Sequence, residues 1–113
     1  MNAKSRTINI AKEFSETPWG RFPDDGDYCG ENFRKIFLVP ALKENDEVTI
    51  SLDGLEGLGS SFMEEAFGGL IRLEGFHKNE LGGKLKIVSS KKDFEIYISM
   101  INKYLTEAKP KNN

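Results

Sequence analysis

Two adjacent serines, Ser60 and Ser61, stand where a glycine-rich loop changes into a run with helical periodicity. A helix N-terminus carries unpaired N–H groups and a partial positive charge, so it favours a phosphate or another anion. A serine can also act as a nucleophile, but it then needs a base within hydrogen-bond reach. The one histidine, His77, lies in a polar segment that is typical of a solvated loop. We therefore expect no catalytic residue and no enzyme activity.

Metal and nucleotide sites are poorly supported by the residues present. One histidine and one cysteine, Cys29, cannot supply the four ligands of a structural zinc site. The segment Gly57-Leu-Gly-Ser-Ser lacks the lysine of a phosphate-binding P-loop. Glu64 and Glu65 are adjacent, but successive helical residues point about 100° apart. We interpret them as charges that complement the helix dipole, and we expect no cofactor.

The composition describes a mildly acidic chain of 113 residues, with 38% hydrophobic residues, 30% charged residues and a net charge of −2. This balance predicts no attraction to nucleic acid or to an anionic membrane. No apolar run reaches the roughly 20 residues of a membrane span, and no secretory signal is recognisable. A single cysteine fits a reducing compartment. We expect one cytoplasmic domain, monomeric or weakly dimeric, with its core at about 6–106 and a flexible tail over 108–113.

The helix after the serines has the clearest periodicity. Its apolar residues recur at i, i+3, i+4, i+7 and i+8, which makes one continuous stripe. Ser61 is followed three positions later by Glu64, and this spacing matches a capping box. The pattern predicts a helix over Ser61–Leu73 with Ser61 as its cap.

Three strands are predicted from hydrophobic alternation, at Thr7 to Phe14 at most, at Val48–Leu52 and at Lys84–Ser89. Apolar spacing from Gly30 predicts a first helix, which Pro40 should kink or end. A last helix should follow Ser90. The order β–α–β–α–β–α favours an α/β fold with a largely parallel sheet and right-handed crossovers.

The connecting segments differ in character. The turn-rich segment 17–26 should be structured because Trp19 and Phe22 can be buried, whereas 75–83 should be a loop. Lysines form one cluster around the third strand, without interleaved aromatic residues, and another near the C-terminus. We interpret both clusters as solvated charges rather than as a nucleic-acid surface. They comprise Lys84, Lys86, Lys91 and Lys92, then Lys103, Lys109 and Lys111.

The register from the central strand to the serine-bearing helix resembles that of the STAS family, the anti-sigma-factor antagonists. The segment Ile50-Ser-Leu-Asp-Gly-Leu-Glu-Gly-Leu-Gly-Ser-Ser61 fits the family spacing without a gap. Ser61 falls at the position of the family's phosphorylated Ser or Thr. Gly59 stands where the family has Asp, and Phe62 stands where it has Gly.

Further motifs are similar to a subgroup, the STAS-like domain of unknown function DUF4325, over roughly residues 14–106. They are Thr17-Pro-x-Gly-Arg21, Gly30-Glu31-x-Phe-Arg34 and Gly59-Ser-Ser-Phe-x-x-Glu-Ala-Phe-Gly-x-Leu. The resemblance implies a STAS-like α/β domain with a small, mixed or mostly parallel sheet and about three helices. It also implies a domain that stands alone or beside a histidine-kinase-type ATPase module.

The resemblance implies a regulatory module that binds a protein, in the manner of anti-sigma-factor antagonists. A histidine-kinase-type ATPase or a serine kinase is the expected partner, and phosphorylation of Ser61, or of Ser60, is expected to weaken the contact. The expected surface comprises the helix Ser61–Leu73, the preceding loop and the segment 17–34. Candidate contact residues are Thr17, Arg21, Glu31, Arg34, Phe62, Glu64 and Glu65.

Arg21 and Arg34 leave two interpretations open. Either arginine could pair with Glu31 or Asp25 in a salt-bridged loop clamp. Alternatively, two fixed guanidinium groups could bind a phosphate or carboxylate near Ser60 and Ser61. The second arrangement would make the chain a small-ligand or anion sensor, or a small enzyme.

Overall fold

Three short parallel strands form the sheet of this structure, a computed structural model that describes residues 3–111. Strand β1 is Ser5–Asn9, β2 is Glu47–Ser51 and β3 is Leu85–Val88. The sheet order is β1-β2-β3, with β2 in the centre. Ile8 lies opposite Ile50, which in turn lies opposite Ile87. The predicted α/β class with a largely parallel sheet is confirmed.

The two faces of the sheet differ in burial. Ile8, Val48 and Ile50 are fully buried, whereas Thr7 is exposed and Thr49 is half-buried. Because alternate residues of a strand point to opposite faces, the helices cover one face of the sheet and leave the other open. Two right-handed crossovers in the same direction place both crossing helices on one side, which explains this asymmetry.

Residues 3–111 contain five helices, and two of them include π-helical turns. Helix α1 is Ile10–Glu13. Helix α2 covers 30–44 as Gly30–Phe33, π-helical Arg34–Leu38 and Val39–Glu44. Helix α3 covers 60–72 as Ser60–Met63, π-helical Glu64–Gly68 and Gly69–Arg72. Helix α4 is Lys78–Gly82 and α5 is Glu95–Glu107, while Pro23–Asp25 and Lys92–Phe94 form short 3₁₀ turns.

The three long helices follow the predicted order, but two segments were assigned wrongly. The first strand ends at Asn9 rather than extending toward Phe14, because the Asn9 side chain accepts the Lys12 N–H at 2.8 Å and starts α1. The predicted loop over 75–83 contains α4, whose first turn is held by the Glu80 carboxylate accepting the His77 N–H at 3.3 Å.

Pro40 does not end α2, which continues for four residues beyond it. The residue lies in the first turn of Val39–Glu44, directly after the π-helical segment. A π-helical turn uses i to i+5 hydrogen bonds, so the bonding register changes immediately before the proline. The absent N–H then falls where a helix start tolerates it, and the chain remains helical to Glu44.

Aromatic rings fill the core between α2, α3 and the sheet. Phe33, Phe62 and Phe67 are fully buried, and the Phe33 and Phe62 ring centroids lie 5.9 Å apart. The ring of Phe14 packs 5.3 Å from that of Phe33 and closes this cluster. Such tilted aromatic pairs add to the area-based gain of burying large rings.

The C-terminal segment is docked along its described part. The Lys111 N–H donates to the Arg72 carbonyl at 3.0 Å, and Ala108 packs against the core. Residues 112 and 113 lie outside the described range, and the flexible tail over 108–113 stays a prediction. Between residues 3 and 111, no helix is long and apolar enough to cross a membrane.

Candidate functional site at the start of helix α3

The segment before α2 is a closed loop with its own hydrogen bonds. The Trp19 N–H donates to the Tyr28 carbonyl at 3.0 Å, and the Gly30 N–H donates to the Gly20 carbonyl at 2.9 Å. Gly20 has a φ of 87°, and a Cβ there would lie 2.5 Å from the Asp25 Cβ. Only glycine fits this backbone position, so the loop has one defined shape.

Asp25 fixes the tip of this loop through the backbone. Its carboxylate accepts the N–H groups of Arg21 at 2.9 Å and Phe22 at 3.2 Å. These two backbone hydrogen bonds lower the pKa of Asp25. Trp19 is 64% exposed and Phe22 is 47% exposed, so the predicted burial of the two rings is wrong. Polar backbone contacts order the loop, and its aromatic side chains remain at the surface.

Helix α3 begins one residue earlier than predicted. Gly59 is the N-cap and contributes no side-chain hydrogen bond, while Ser60 and Ser61 occupy the first turn and are exposed. The predicted capping box of Ser61 and Glu64 is absent because the Glu64 carboxylate binds arginines instead. Both serine side chains are thus accessible at the start of the helix.

A groove of about 550 Å³ runs between the loop and the start of α3. The loop contributes Trp19, Gly20, Arg21, Phe22 and Asp25, and the helix side contributes residues 59–62. The structure therefore brings together the segment 17–34 and the serine-bearing helix start, which are separated by a whole βα unit in the sequence. The groove combines two exposed aromatic rings, two serines and the first turn of a helix.

Beside the groove, an ion-pair cluster joins the loop to α3 through Arg21, which also lines the groove. The Arg21 guanidinium lies 2.5 Å from the Glu64 carboxylate and 3.1 Å from the Glu65 carboxylate. Arg72 contacts the same two carboxylates, at 3.2 Å to Glu64 and 3.5 Å to Glu65. The two glutamates share both guanidinium groups, so the expectation that they simply complement the helix dipole is wrong. They lie in the π-helical segment, whose wider turn departs from α-helical spacing.

The inner part of the cluster is buried. Arg34 is 1% exposed and Glu65 is 2% exposed, and the two side chains meet at 2.8 Å. The Arg34 Nη1 also donates to the Glu65 carbonyl, and its Nε donates to Glu74 at 2.8 Å. Between residues 3 and 111, no buried side-chain nitrogen or oxygen lacks a partner. A fully satisfied cluster of this kind holds α2 against α3.

Both arginines differ from the predicted loop clamp. The Arg21 guanidinium pairs with α3 rather than with Asp25, whose carboxylate is occupied by backbone N–H groups. Glu31 lies 3.8 Å from Lys35, one turn along α2, and Arg34 turns inward. The anion-pocket interpretation also meets an obstacle, because the carboxylates of the protein itself occupy both guanidinium groups.

Two glycines allow close packing where α2 crosses α3, and one of them, Gly69, makes room for the buried arginine. A Cβ on Gly69 would lie 2.8 Å from the Arg34 Cζ, and a Cβ on Gly30 would lie 2.7 Å from the Phe62 carbonyl oxygen. Both distances are shorter than ordinary van der Waals contact. The close approach of α2 to α3, and with it the depth of Arg34, depends on these positions.

Three of the candidate contact residues lie in the interior. Phe62 is fully buried in the aromatic core, and Arg34 and Glu65 form the buried ion pair. They support the surface from beneath and cannot contact a partner in this structure. Ser60, Ser61 and Thr17 are exposed, whereas Arg21, Glu31 and Glu64 are half-buried. Of these six, Thr17, Glu31 and Glu64 do not line the groove.

The sequence interpretation missed Arg72, Glu74 and the exposure of Trp19. Arg72 lies seven positions after Glu65 and eight after Glu64, and this spacing on one helix face was the usable signal for it. Glu74 lies beyond the end of α3, so helical spacing gave no indication that it joins the cluster. Within residues 3–111, no group of three or more His, Cys, Asp or Glu could hold a metal ion.

The arginines of the cluster lower the pKa of Glu64. Burial opposes its ionisation, but hydrogen bonds from Arg72 and Arg21 outweigh burial and hold its pKa below the ordinary value. An ionised Glu64 is a strong acceptor for two guanidinium groups. It is a poor proton carrier near neutral pH, so the arrangement favours a structural tie over acid–base chemistry.

Acidification should weaken this tie. The Glu64 pKa is lower in the folded than in the unfolded chain, so its contribution is complete above pH about 5 and is lost as the pH falls through the folded pKa. We expect Glu64→Gln to lose less stability than the wild type between pH 7 and pH 3, as measured by urea midpoints. Glu44→Gln, at an exposed site, is the control and should retain the wild-type dependence. Equal acid sensitivity in Glu64→Gln would contradict the assignment.

A comparison with protein families finds a match for part of the chain. A model described as a STAS-like domain of unknown function (DUF4325) matches residues 29–95, from just before α2 to the start of α5. This range contains α3 and the buried ion pair, and residues 17–28, which include the loop side of the groove, lie outside it. No curated protein and no solved structure matches the chain.

Proposed function

Because the chain belongs to the family of STAS-like domains of unknown function (DUF4325), we propose that it is a non-enzymatic regulatory module that binds another protein. One observation carries the proposal: the groove places Trp19 and Phe22, both largely exposed, beside the accessible serines of α3. Exposure of a tryptophan ring to water is unfavourable in free energy, and tryptophan is enriched at protein interfaces.

The partner that we propose is a cytoplasmic histidine-kinase-type ATPase or a serine kinase. The ion-pair cluster beside the groove supports the docking of a protein at this surface, because it ties the loop to α3 in the free chain. Preorganised surfaces lose less conformational entropy on binding. The loop residue Arg21 is tied to Glu64 and Glu65, so the position of the loop tip is set by the helix that carries the serines.

Phosphorylation of Ser61, or of Ser60, would act on this surface. Both hydroxyls lie at the helix start, where a phosphate gains contacts with free N–H groups and the helix dipole. The added charge of about −2 would also lie in a groove that is lined by the Asp25 carboxylate. A partner that fits the unmodified groove would meet new bulk and charge, so we propose that modification weakens the contact.

The competing function is an anion or small-ligand sensor built from Arg21, Arg34 and the serine-bearing helix start. Its two cations already bind Glu64, Glu65 and Glu74, which favours protein binding over this pocket. A thermal-shift screen against nucleotides and phosphorylated metabolites separates the two functions. We expect no saturable shift, and a large one would support the sensor.

The proposed switch predicts different behaviour for two Ser61 substitutions. We expect Ser61→Asp to weaken binding of the partner about tenfold and Ser61→Ala to bind within about twofold of the wild type. The partner is first isolated by affinity purification from the native host and identified by mass spectrometry. Its dissociation constants are then measured by calorimetry with the purified proteins. Equal affinities for Ser61→Asp and Ser61→Ala would rule out the switch.

A further inference from the structure

The two edges of the sheet are protected differently. On β1, two of the backbone groups that point away from β2 are bound by side chains of the same chain. Arg6 Nη1 donates to the Thr7 carbonyl at 2.6 Å, and the Asn9 N–H donates to Glu13 at 2.9 Å. Arg6 and Glu13 are themselves paired at 2.6 Å. These side chains partly cover this edge against another strand.

On β3, the corresponding backbone groups remain open. The carbonyls of Lys84 and Val88 accept the N–H groups of Val48 and Leu52, at 2.8 and 2.9 Å. Peptide groups alternate in direction along a parallel ladder, so those of Leu85 and Ile87 point away from β2. Among residues 3–111, no strand pairs with this side of β3.

The side chains around β3 are apolar toward the core, and most of those on the open side are lysines. Leu85 and Ile87 point toward the helix-covered core, whereas Lys86 and Val88 alternate with them on the open face. Val88 is 42% exposed, which is unusual for a strand valine in a small domain. The surrounding lysines are Lys84, Lys86, Lys91 and Lys92, and none of them forms an ion pair with another described residue.

We propose that the outer edge of β3 binds an extended acidic segment of a protein partner as a fourth strand. The free backbone groups of Leu85 and Ile87 would supply the ladder hydrogen bonds. Acidic side chains of the segment would lie beside Lys86 on the open face, and its apolar side chains would lie beside Ile87. This inference goes beyond the proposed function, because it uses none of the residues that line the groove.

The lysines argue against a second copy of the chain as the occupant. Two β3 edges paired with each other would bring the four lysines of one copy against those of the other, and like charges on paired strands are destabilising. Lysines on an edge also discourage indiscriminate aggregation. The side chains of an acidic segment would instead be attracted to these lysines.

The test uses a short synthetic peptide of alternating glutamate and valine, with proline at both ends to prevent stacking of the peptide. We expect saturable binding of the full chain, with NMR amide shifts concentrated at 84–88. Lys84→Glu/Lys86→Glu should weaken binding about tenfold, and higher salt should weaken wild-type binding. The control is Lys103→Glu, at an exposed site on α5, which should bind like the wild type.

Three results would overturn the proposal. They are no binding of the peptide, equal binding by the charge-reversed and wild-type chains, and amide shifts located away from β3. The first result would mean that the lysines only block the edge. Circular dichroism of each variant confirms that folding is retained, and a Thr49 amide in its native position shows that β2 remains paired.

Discussion

Arg34→Ala is expected to lower the free energy of unfolding by about 3–5 kcal/mol, the largest effect of any substitution at the ion-pair cluster. The guanidinium is 1% exposed, and its removal leaves the Glu65 carboxylate, 2% exposed, without its buried partner. Glu65 retains only Arg21 at 3.1 Å and Arg72 at 3.5 Å, and Glu74 loses the Arg34 Nε. Urea denaturation of the purified chain measures the loss.

A matched surface pair and a double substitution make this prediction specific. Arg6→Ala breaks the exposed pair with Glu13 and should cost about 1 kcal/mol or less. Arg34→Met combined with Glu65→Leu removes both buried charges and should recover much of the stability that Arg34→Ala loses. If Arg34→Ala were no more harmful than Arg6→Ala, the buried pair would not hold α2 against α3.

Gly30→Ala is expected to have the second largest effect, a loss of about 1–3 kcal/mol. The new Cβ would lie 2.7 Å from the Phe62 carbonyl oxygen and 2.9 Å from the Glu65 Cβ. The carbonyl belongs to the backbone of α3, so the clash is relieved only by moving the two helices apart. That movement would also disturb the Arg34–Glu65 pair, which lies at the same crossing.

Gly82→Ala provides the comparison for this substitution. A Cβ on Gly82 would meet nothing within 4 Å, and the residue is the last of α4. Alanine is favoured over glycine in a helix, so this variant should be unchanged or slightly more stable. Thermal unfolding of both variants tests the pair. A stability of Gly30→Ala equal to that of Gly82→Ala would show that the helices are not in close contact at Gly30.

Periodicity predicted the parts of this fold that depend on burial. The stripe from Met63 to Ile71 predicted α3 because its spacing matches one helix face, and the alternation in Val48–Leu52 predicted β2 in the same way. The boundaries failed where a side chain competes for a backbone group. Strand β1 ends at Asn9 because the Asn9 side chain caps α1. Glu64 forms no capping hydrogen bond because two arginines bind its carboxylate.

The interior of the candidate site was beyond sequence reasoning. Arg34 and Glu65 are charged, and residues of this type are almost never fully buried unless they are paired. Their pairing depends on a tertiary crossing of two helices, each with a π-helical turn that shifts its facing residues. The surface was partly predictable, since the motifs placed Arg21 and Ser61 in one functional region. The exposure of Trp19 was missed because an aromatic residue in a loop is usually a buried anchor.

The most direct test of the proposed docking groove is the affinity of the isolated partner for Trp19→Ser. Trp19 is 64% exposed in the groove, so its loss should leave the fold intact and remove a central contact. We expect the dissociation constant, measured by calorimetry, to rise at least about tenfold. Ile96→Ser, at a 62% exposed apolar position on α5, is the control and should bind as the wild type does. Unchanged affinity for Trp19→Ser, or an equal loss in both variants, would contradict binding at this groove.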